Sequence, residues 1–344
     1  MSSLRTGVPI APFTTLRLGG PAGRMVECGT RADLVDALRE HDAAAEPVLL
    51  LGDGSNAVVA DEGFHGTVVR ITSRGQERSA DGDDVQVTVE AGEPWDAFVA
   101  GCVADGLSGV EFLSGVPGLA GATPIQNVGA YGQEVAETIT GVRVLDRSAG
   151  QVRDLAPEQC RFTYRGSAFK GSDRYAVLAV TFRLRHSPLS AAVAYAEVAR
   201  RLGVSAGDRV PLEEARATVL GLRASKGMVL DASDHDTWSA GSFFTNPLVT
   251  EDEAAHLPES APRWPAGDGR VKLSAAWLIE HAGFGKGYGS GRARISTKHT
   301  LALTNRGGAT TAELLALARE VRDGVRARFG VELAQEPVLV GVTL

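Results

Sequence analysis

The sequence predicts an α+β fold in which a strand-rich N-terminal half is followed by a more helical C-terminal part. Three observations support this class. Residues 48–184 hold short apolar or alternating segments typical of strands, among them VLLLG and AVLAVTFRL. Helical segments become frequent after about residue 186. The clearest helix signal comes near the C-terminus, where a capping box precedes a regular apolar stripe.

Local signals predict each element of the strand-rich half. A first helix is expected at residues 30–40, because Thr30 is a good N-cap and Asp33 follows three residues later. Pro94 is expected to open a helix that runs through Ala104. Strands are predicted at residues 48–52, 68–71, 85–89, 142–145, 152–155 and 176–184. The strands at 142–145 and 152–155 are expected to form a hairpin.

The C-terminal part is predicted to be mainly helical. Helical segments are expected near residues 189–202, 211–224 and 272–283. The last helix has a capping box of Thr310 and Glu313, an apolar stripe, and Gly330 as its stop. The segment PVLVGVTL is expected to close the chain as a strand. These changes place the main domain boundary between about residues 186 and 225.

An uncharged, glycine-rich stretch interrupts the strand-rich half. Residues 112–132 read FLSGVPGLAGATPIQNVGAYG and contain neither the periodicity of a helix nor that of a strand. Such a loop suits a place where backbone packs closely and bare N–H groups act as donors. The pyrophosphate of a dinucleotide cofactor fits that description. A buried interdomain connection fits this stretch equally well.

Composition limits the classes of function. The 344 residues suffice for two or three domains, and the net charge of −7 argues against nucleic acid as the main partner. Three widely spaced cysteines form neither a disulfide framework nor a metal motif, and no His/Cys cluster has metal-ligand spacing. No apolar run approaches a membrane span, and the N-terminus lacks a signal-peptide pattern. A reduced, cytoplasmic protein is expected.

Two glycine-rich segments resemble nucleotide-binding motifs. The residues from Gly52 to Ala57 match GxGxxA after an apolar strand, but Asp61, Glu62 and Gly63 interrupt the helix that a Rossmann turn must open. A nicotinamide fingerprint is therefore rejected, while a donor-rich phosphate turn and a plain β-turn both remain open. The segment GFGKGYGSG (283–291) lacks phosphate-loop spacing and is interpreted as a surface turn.

Three polar residues lie in settings that chemistry uses. Arg165, in YRGS, offers a planar donor fork for a carboxylate or phosphate, although most single arginines are surface charges. Ser242 lies in the uncharged aromatic segment SAGSFFTNP, where a buried hydroxyl needs a partner. Glu336 precedes the final strand, and exposure is the usual fate of a glutamate. None of the three is decisive alone.

Six motifs taken in order are specific. They are LGDGSNAVV, GVPGLAGATPIQNVGAYG, CRFTYRGSAFK, AGSFFTNP, AAWLIEHAGFGKG and QEPVLVG. Together they resemble the UDP-N-acetylenolpyruvoylglucosamine reductases, also called UDP-N-acetylmuramate dehydrogenases, which are FAD enzymes of bacterial cell-wall precursor synthesis. The resemblance covers nearly the whole chain, from about Thr14 to Gly341.

The resemblance implies a fold of three parts. A flavin domain of the vanillyl-alcohol-oxidase type, built from two α+β subdomains, would occupy residues 1–75 and 76–220. An α+β substrate-binding domain would occupy residues 221–344, with its last strand returning toward the flavin site. The family also suggests a monomer.

The resemblance implies that FAD is bound non-covalently by two segments. The glycine turn would hold the pyrophosphate from one side through Gly52, Gly54, Ser55 and Asn56. The glycine-rich loop would hold it and the flavin from the other side through Gly118, Thr123, Ile125, Gln126 and Gly129.

The resemblance also implies catalytic and substrate-binding residues. The catalytic residues map onto Arg165, Ser242 and Glu336. The substrate residues map onto Tyr195, Arg223, Lys226 and Asn246. Tyr195 aligns with the tyrosine of a substrate-closing loop found in one branch of the family, although its flanking sequence equally fits a helix with this side chain in the core. The acidic segment after Lys226 departs from the family's proline-rich pattern.

The implied reaction has two halves. NADPH reduces the flavin, and the enolpyruvyl ether of UDP-N-acetylglucosamine then accepts a hydride from it. Arg165 would stabilise the resulting enolate with help from Glu336, and Ser242 would supply the proton. The alternatives are a flavin oxidase of the same fold, with His65 as the nearest candidate for a flavin tether, and a non-catalytic nucleotide-sugar binding protein.

Overall fold

The structure, a computed structural model, describes residues 4–267 and 269–344. The chain forms two compact units that alternate along the sequence. The first unit consists of Met1–Val8, Gly23–Asp53 and His65–Ala224. The second unit consists of Pro9–Ala22, Gly54–Phe64 and Ser225–Leu344. The division predicted from the sequence, at residues 75 and 220, stays a prediction.

Most strands are short. In chain order they are β1 (Arg5–Pro9), β2 (Pro21–Cys28), β3 (Val48–Leu51), β4 (Ala57–Val59), β5 (Phe64–Ile71), β6 (Gln76–Asp81), β7 (Asp84–Glu90), β8 (Leu107–Ser108), β9 (Gly129–Ala130), β10 (Gln133–Glu134), β11 (Ile139–Asp146), β12 (Gln151–Leu155), β13 (Tyr175–His186), β14 (Leu248–Thr250), β15 (Arg263–Pro265), β16 (Arg270–Leu273), β17 (Ala293–Ile295), β18 (Leu303–Asn305) and β19 (Val338–Val340).

The helices vary in length from one turn to five. In chain order they are α1 (Arg31–Ala43), α2 (Trp95–Ala104), α3 (Pro157–Cys160), α4 (Ala196–Leu202), α5 (Leu212–Ser225), α6 (Glu251–Ala255), α7 (Ala275–His281) and α8 (Thr311–Phe329). Within the described residues, none of these helices has the length and apolar character that crossing a bilayer requires.

Two sheets organise the first unit. One has the strand order β1-β2-β5-β3, with β3 and β5 parallel, and α1 packs on it through Leu34 and Leu38. The other is antiparallel, with the order β12-β11-β13-β7-β6 and β8 alongside β13. A core of Trp95, Phe98 and Phe182, whose ring centroids lie 5.4–5.6 Å apart, joins α2 to this second sheet.

Helix α8 is the main support of the second unit. Its buried stripe includes Leu314, Val321 and Val325, and it packs with the β17–β18 hairpin and with α7. A three-stranded sheet of order β14-β16-β15 lies in the same unit. Strands β4 and β19 pair in parallel, so the chain's last strand lies beside the strand that follows the glycine turn.

Several predicted elements are confirmed, including α1, α2, α8 and the β11–β12 hairpin. Thr30 caps α1 and Thr310 caps α8, as their sequences indicated. The helix predicted at 189–202 is wrong in its first half, because only residues 196–202 are helical. The backbone before it pairs elsewhere: Ser190 N donates to Val210 O at 2.7 Å. The helix predicted at 272–283 covers only 275–281, and Lys272 belongs to β16.

Candidate active site

The glycine-rich loop, residues 112–132, packs closely against its own unit. Nearly all of it is buried or half-buried. A Cβ on Gly121 would lie 2.4 Å from the Cβ of Ala91, so only glycine fits there. The Gly115 amide donates to the Asp96 carboxylate at 2.5 Å, which fastens the start of the loop to α2. The close backbone packing predicted from the glycines is therefore present.

The predicted cofactor residues of this loop are held in place by hydrogen bonds. The Thr123 hydroxyl donates to Ala120 O at 2.7 Å, and Trp95 N donates to Gly118 O at 3.0 Å. The Ile125 carbonyl accepts from the Ser167 hydroxyl at 2.6 Å. Gln126 and Gly129 are half-buried. These hydrogen bonds fix the shape of the loop.

The glycine turn, residues 52–56, needs its two glycines for space. A Cβ on Gly52 would lie 2.9 Å from Leu119 Cδ1, and a Cβ on Gly54 would lie 2.5 Å from Phe13 O. Gly54 also has a φ of 54°, a left-handed conformation that glycine adopts without strain. The turn leads into β4 and not into a helix, which confirms that it is not a Rossmann fingerprint.

Arg165 lies at the tip of a tight turn in the first unit. Thr163 and Gly166 close the turn through reciprocal backbone hydrogen bonds of 3.0 and 3.2 Å. Arg165 is half-buried, and its guanidinium donates to Gly129 O at 2.7 Å. This predicted catalytic side chain therefore contacts the backbone of the glycine-rich loop, at a residue 36 positions away in sequence.

Ser242 and Glu336 lie on adjacent segments of the second unit. The Glu336 amide donates at 2.8 Å to the carbonyl of Phe243, the residue after Ser242. Phe244 forms an antiparallel bridge with Gln335. Buried Phe243 and Phe244 pack edge-on, with ring centroids 5.1 Å apart, and anchor this segment while Ser242 itself stays half-buried.

Asn56 links the glycine turn to Glu336. Its side-chain amide donates to Glu336 O at 3.4 Å, and its own carbonyl accepts from Val338 N at 2.9 Å. Asn246 is also engaged, because its side-chain oxygen accepts from Ala275 N at the start of α7. A residue predicted for a cofactor role, Asn56, is thus bonded to the predicted catalytic residue Glu336 within this unit.

A buried carboxylate that the sequence reasoning missed anchors the chain shortly before Ser242. The Asp236 carboxylate accepts from Thr297 N at 2.8 Å, from the Thr297 hydroxyl at 2.6 Å and from the Arg306 guanidinium at 2.8 Å. Burial alone would raise its pKa, but these donors hold the pKa of Asp236 below its usual value. The acidic segment that departs from the family pattern therefore contains a structural anchor six residues before Ser242.

The remaining predicted substrate residues differ in exposure. Tyr195 is 43% exposed at the start of α4, which excludes the core position that the sequence left open. Its ring lies edge-on to Tyr131, with centroids 5.5 Å apart. Arg223 is buried on α5 beside Gly115, and burial lowers the pKa of its guanidinium. Lys226 is half-buried just beyond α5.

Two protein-family models match separate parts of this chain. Residues 22–156 match a family model described as an FAD binding domain. Residues 233–340 match a family model described as the C-terminal domain of UDP-N-acetylenolpyruvoylglucosamine reductase. These family matches and the solved structure of a relative described below confirm the predicted α+β fold, in which an FAD-binding domain is followed by a C-terminal domain.

Whole-length relatives carry the same description. The UDP-N-acetylenolpyruvoylglucosamine reductase of Thermobifida fusca is 57% identical, with 100% of this chain and 99% of the relative covered. That of Saccharopolyspora erythraea is 59% identical over 98% of this chain and 96% of the relative. Among solved structures, the UDP-N-acetylenolpyruvylglucosamine reductase of Thermus caldophilus superimposes with a TM-score of 0.67 at 25% identity, covering 99% of both chains.

Proposed function

Since this chain belongs to the UDP-N-acetylenolpyruvoylglucosamine reductase family, we propose that Arg165, Ser242 and Glu336 carry the chemistry of that family's reaction. The protein is an FAD-dependent oxidoreductase that uses NADPH to reduce the enolpyruvyl ether of UDP-N-acetylglucosamine in peptidoglycan precursor synthesis. This confirms the function predicted from the sequence. The roles of individual residues are the proposal.

The residues present fit FAD. Its pyrophosphate needs backbone donors at close range, and a side chain at Gly52 or Gly54 would collide with its neighbours. We assign the pyrophosphate to the glycine turn, through Gly52, Gly54, Ser55 and Asn56. We assign the flavin contacts to the glycine-rich loop, through Gly118, Thr123, Ile125, Gln126 and Gly129. When bound, FAD supplies hydride transfer from NADPH to the substrate.

Arg165 is the proposed electrostatic catalyst. Hydride addition to the terminal carbon of the enolpyruvyl group moves the double-bond electrons toward the carboxylate, so that negative charge grows there. A guanidinium directed at that carboxylate acts where charge develops, which is the requirement for transition-state stabilisation. The bond from Arg165 to Gly129 O supports this role, because it fixes the guanidinium before the charge appears.

Ser242 is the proposed proton donor. The enolate must gain a proton on the carbon that bears the carboxylate and the ether oxygen. A serine hydroxyl is a weak acid, so the basicity of the enolate drives much of this transfer. Glu336 is proposed to act in the same step as Ser242, and the hydrogen bond from its amide to Phe243 O, beside Ser242, supports this pairing.

The substrate's nucleotide part is assigned to the predicted binding residues. Arg223 and Lys226 provide positive charge for a diphosphate, Tyr195 provides an exposed ring, and Asn246 provides an amide. We further propose that the enzyme is monomeric and cytoplasmic and has no nucleic-acid partner. The net charge of −7 supports the last of these points, because phosphate binding needs positive charge.

The function rests most on one observation, the whole-length identity of 57–59% to reductases of this description. The purified protein should be yellow. Under nitrogen, NADPH should bleach it, and the enolpyruvyl sugar should restore the colour. Reoxidation by air alone at comparable speed would favour an oxidase.

The state of the flavin provides an independent control on that test. Acid should release all of the flavin as free FAD. His65, the nearest candidate for a tether, is exposed on β5. Burial raises the pKa of the Cys28 and Cys160 thiols to about 11 and that of the Cys102 thiol to about 12. Thiols of such high pKa are poor nucleophiles at neutral pH. Flavin that stays with the precipitate would contradict a non-covalent cofactor.

A further inference from the structure

Arg165 lies on a strained backbone. Its φ is 53°, in the left-handed region that a non-glycine residue keeps only where the surrounding structure enforces it. Such positions are typical of functional sites. The turn that carries it, residues 163–166, therefore needs contacts that hold it in this conformation.

Asn127 of the glycine-rich loop provides such a contact. It is 2% exposed, and its side-chain amide donates to Thr163 O at 3.1 Å and to the Glu134 carboxylate at 2.7 Å. Its side-chain oxygen accepts from Ala136 N at 3.2 Å. The first residue of the arginine turn is thus bonded to a side chain that is itself fixed on two other sides.

Two more polar contacts join the same two segments. The Ser167 hydroxyl donates to Ile125 O at 2.6 Å, and Arg165 itself donates to Gly129 O at 2.7 Å. Three alternate positions of the loop therefore bind the arginine turn and the residue after it. Residue 125 bonds to 167, residue 127 to 163, and residue 129 to 165. The asparagine is central, because it is the one of the three loop positions that acts through its side chain.

We propose that Asn127 is a positioning residue that holds the Arg165 turn in register with the glycine-rich loop, an inference that rests on the proposed role of Arg165. Asn127 sets where the guanidinium points when the substrate's carboxylate gains charge. A displacement of about 1 Å at a reacting centre can cost about 10²-fold in rate. The effect of losing Asn127 should therefore pass through Arg165 and not through folding.

Asn127→Gly is the direct test. The φ of Asn127 is 45°, which glycine adopts freely, so the backbone is kept while every side-chain hydrogen bond is lost. We expect the enolpyruvyl sugar to reoxidise the reduced enzyme about 10- to 100-fold more slowly. Reduction by NADPH should stay within a few-fold of wild type. Ser167→Ala, which removes one of the three contacts between the two segments and the acceptor of Phe169 N at 3.1 Å, should show a smaller change in the same direction.

A double-mutant cycle separates positioning from general damage. In an Arg165→Lys background, where the precise fork is already lost, Asn127→Gly should slow reoxidation by less than about threefold. Hydrogen exchange of the peptide covering residues 161–170 is measured on the FAD-bound enzyme without substrate or NADPH. It should be faster in Asn127→Gly than in the wild type. Thr88→Val, which removes a hydroxyl pair of 2.9 Å with Thr181 elsewhere in the unit, should change neither quantity.

Each outcome decides between two hypotheses. If Asn127→Gly slows reoxidation equally in both backgrounds, or leaves it unchanged in the wild-type background, the positioning role is wrong and the proposed role of Arg165 stands. If Arg165→Lys alone leaves reoxidation at the wild-type rate, the role of Arg165 is wrong and that of Asn127 falls with it. Unchanged exchange of the 161–170 peptide would also overturn the positioning role.

Discussion

Replacing Ser242 with alanine should slow reoxidation of the reduced enzyme by the enolpyruvyl sugar by roughly 10²–10⁴-fold, the usual contribution of a positioned acid. The change removes one oxygen from a half-buried side chain, and the buried pair Phe243 and Phe244 still anchors the segment. Folding and FAD content should therefore stay nearly normal. Reduction by NADPH requires no proton from this residue and should proceed at the wild-type rate.

Cysteine at position 242 is the matched control. Its thiol is close in size to the hydroxyl and is a stronger acid, so Ser242→Cys should recover part of the rate that Ser242→Ala loses. Stopped-flow absorbance of the flavin separates the two half-reactions. If Ser242→Ala is reoxidised within a few-fold of the wild-type rate, the proton comes from another group, and the assignment of the GSFFTNP segment as catalytic fails.

Replacing Arg165 with lysine should have an effect of similar size on the same step. Lysine keeps the positive charge but loses the planar fork, and it cannot reproduce a bidentate contact with a carboxylate. Loss of one preorganised donor at a developing negative charge costs about 10²–10³-fold. We expect at least about 10²-fold slower reduction of the substrate, with reduction by NADPH close to normal.

The contrast between the two half-reactions is the control for Arg165→Lys. This residue also donates to Gly129 O in the glycine-rich loop, so a purely structural role would weaken FAD binding and slow both steps together. Equal damage to both half-reactions would therefore contradict a catalytic role. The FAD content of the purified variant, measured by absorbance, distinguishes cofactor loss from a slow chemical step.

Elements with complete local signals were predictable from the sequence. Helix α8 has its cap, its apolar stripe and its glycine stop within one contiguous segment, so local physics decides it. The residues before α4 show the opposite case. Their sequence has helical character, but Val193 N donates to Asp208 O at 2.8 Å, and this contact between distant residues draws the segment out of the helix.

The same distinction applies to the site. Arg165, Ser242 and Glu336 were predicted from six motifs taken in order, each of which extends over only a few residues. Asn127 and Asp236 were missed, because their roles depend on partners far away in sequence, Thr163 for the asparagine and Thr297 for the aspartate. An asparagine within an uncharged loop was the available signal for Asn127, since a buried amide must find hydrogen-bond partners.

One measurement tests the central claim, that these residues act on the substrate and not on the NADPH step. The rate constants of both half-reactions are determined by anaerobic stopped flow for wild type, Arg165→Lys, Ser242→Ala and Glu336→Gln. For Glu336→Gln we expect at least about tenfold slower reoxidation, the cost of weakening a charged hydrogen bond. We expect NADPH to reduce all three variants within a few-fold of the wild-type rate, while their reoxidation by the enolpyruvyl sugar becomes slower. A parallel fall of both rate constants in these variants would contradict the central claim.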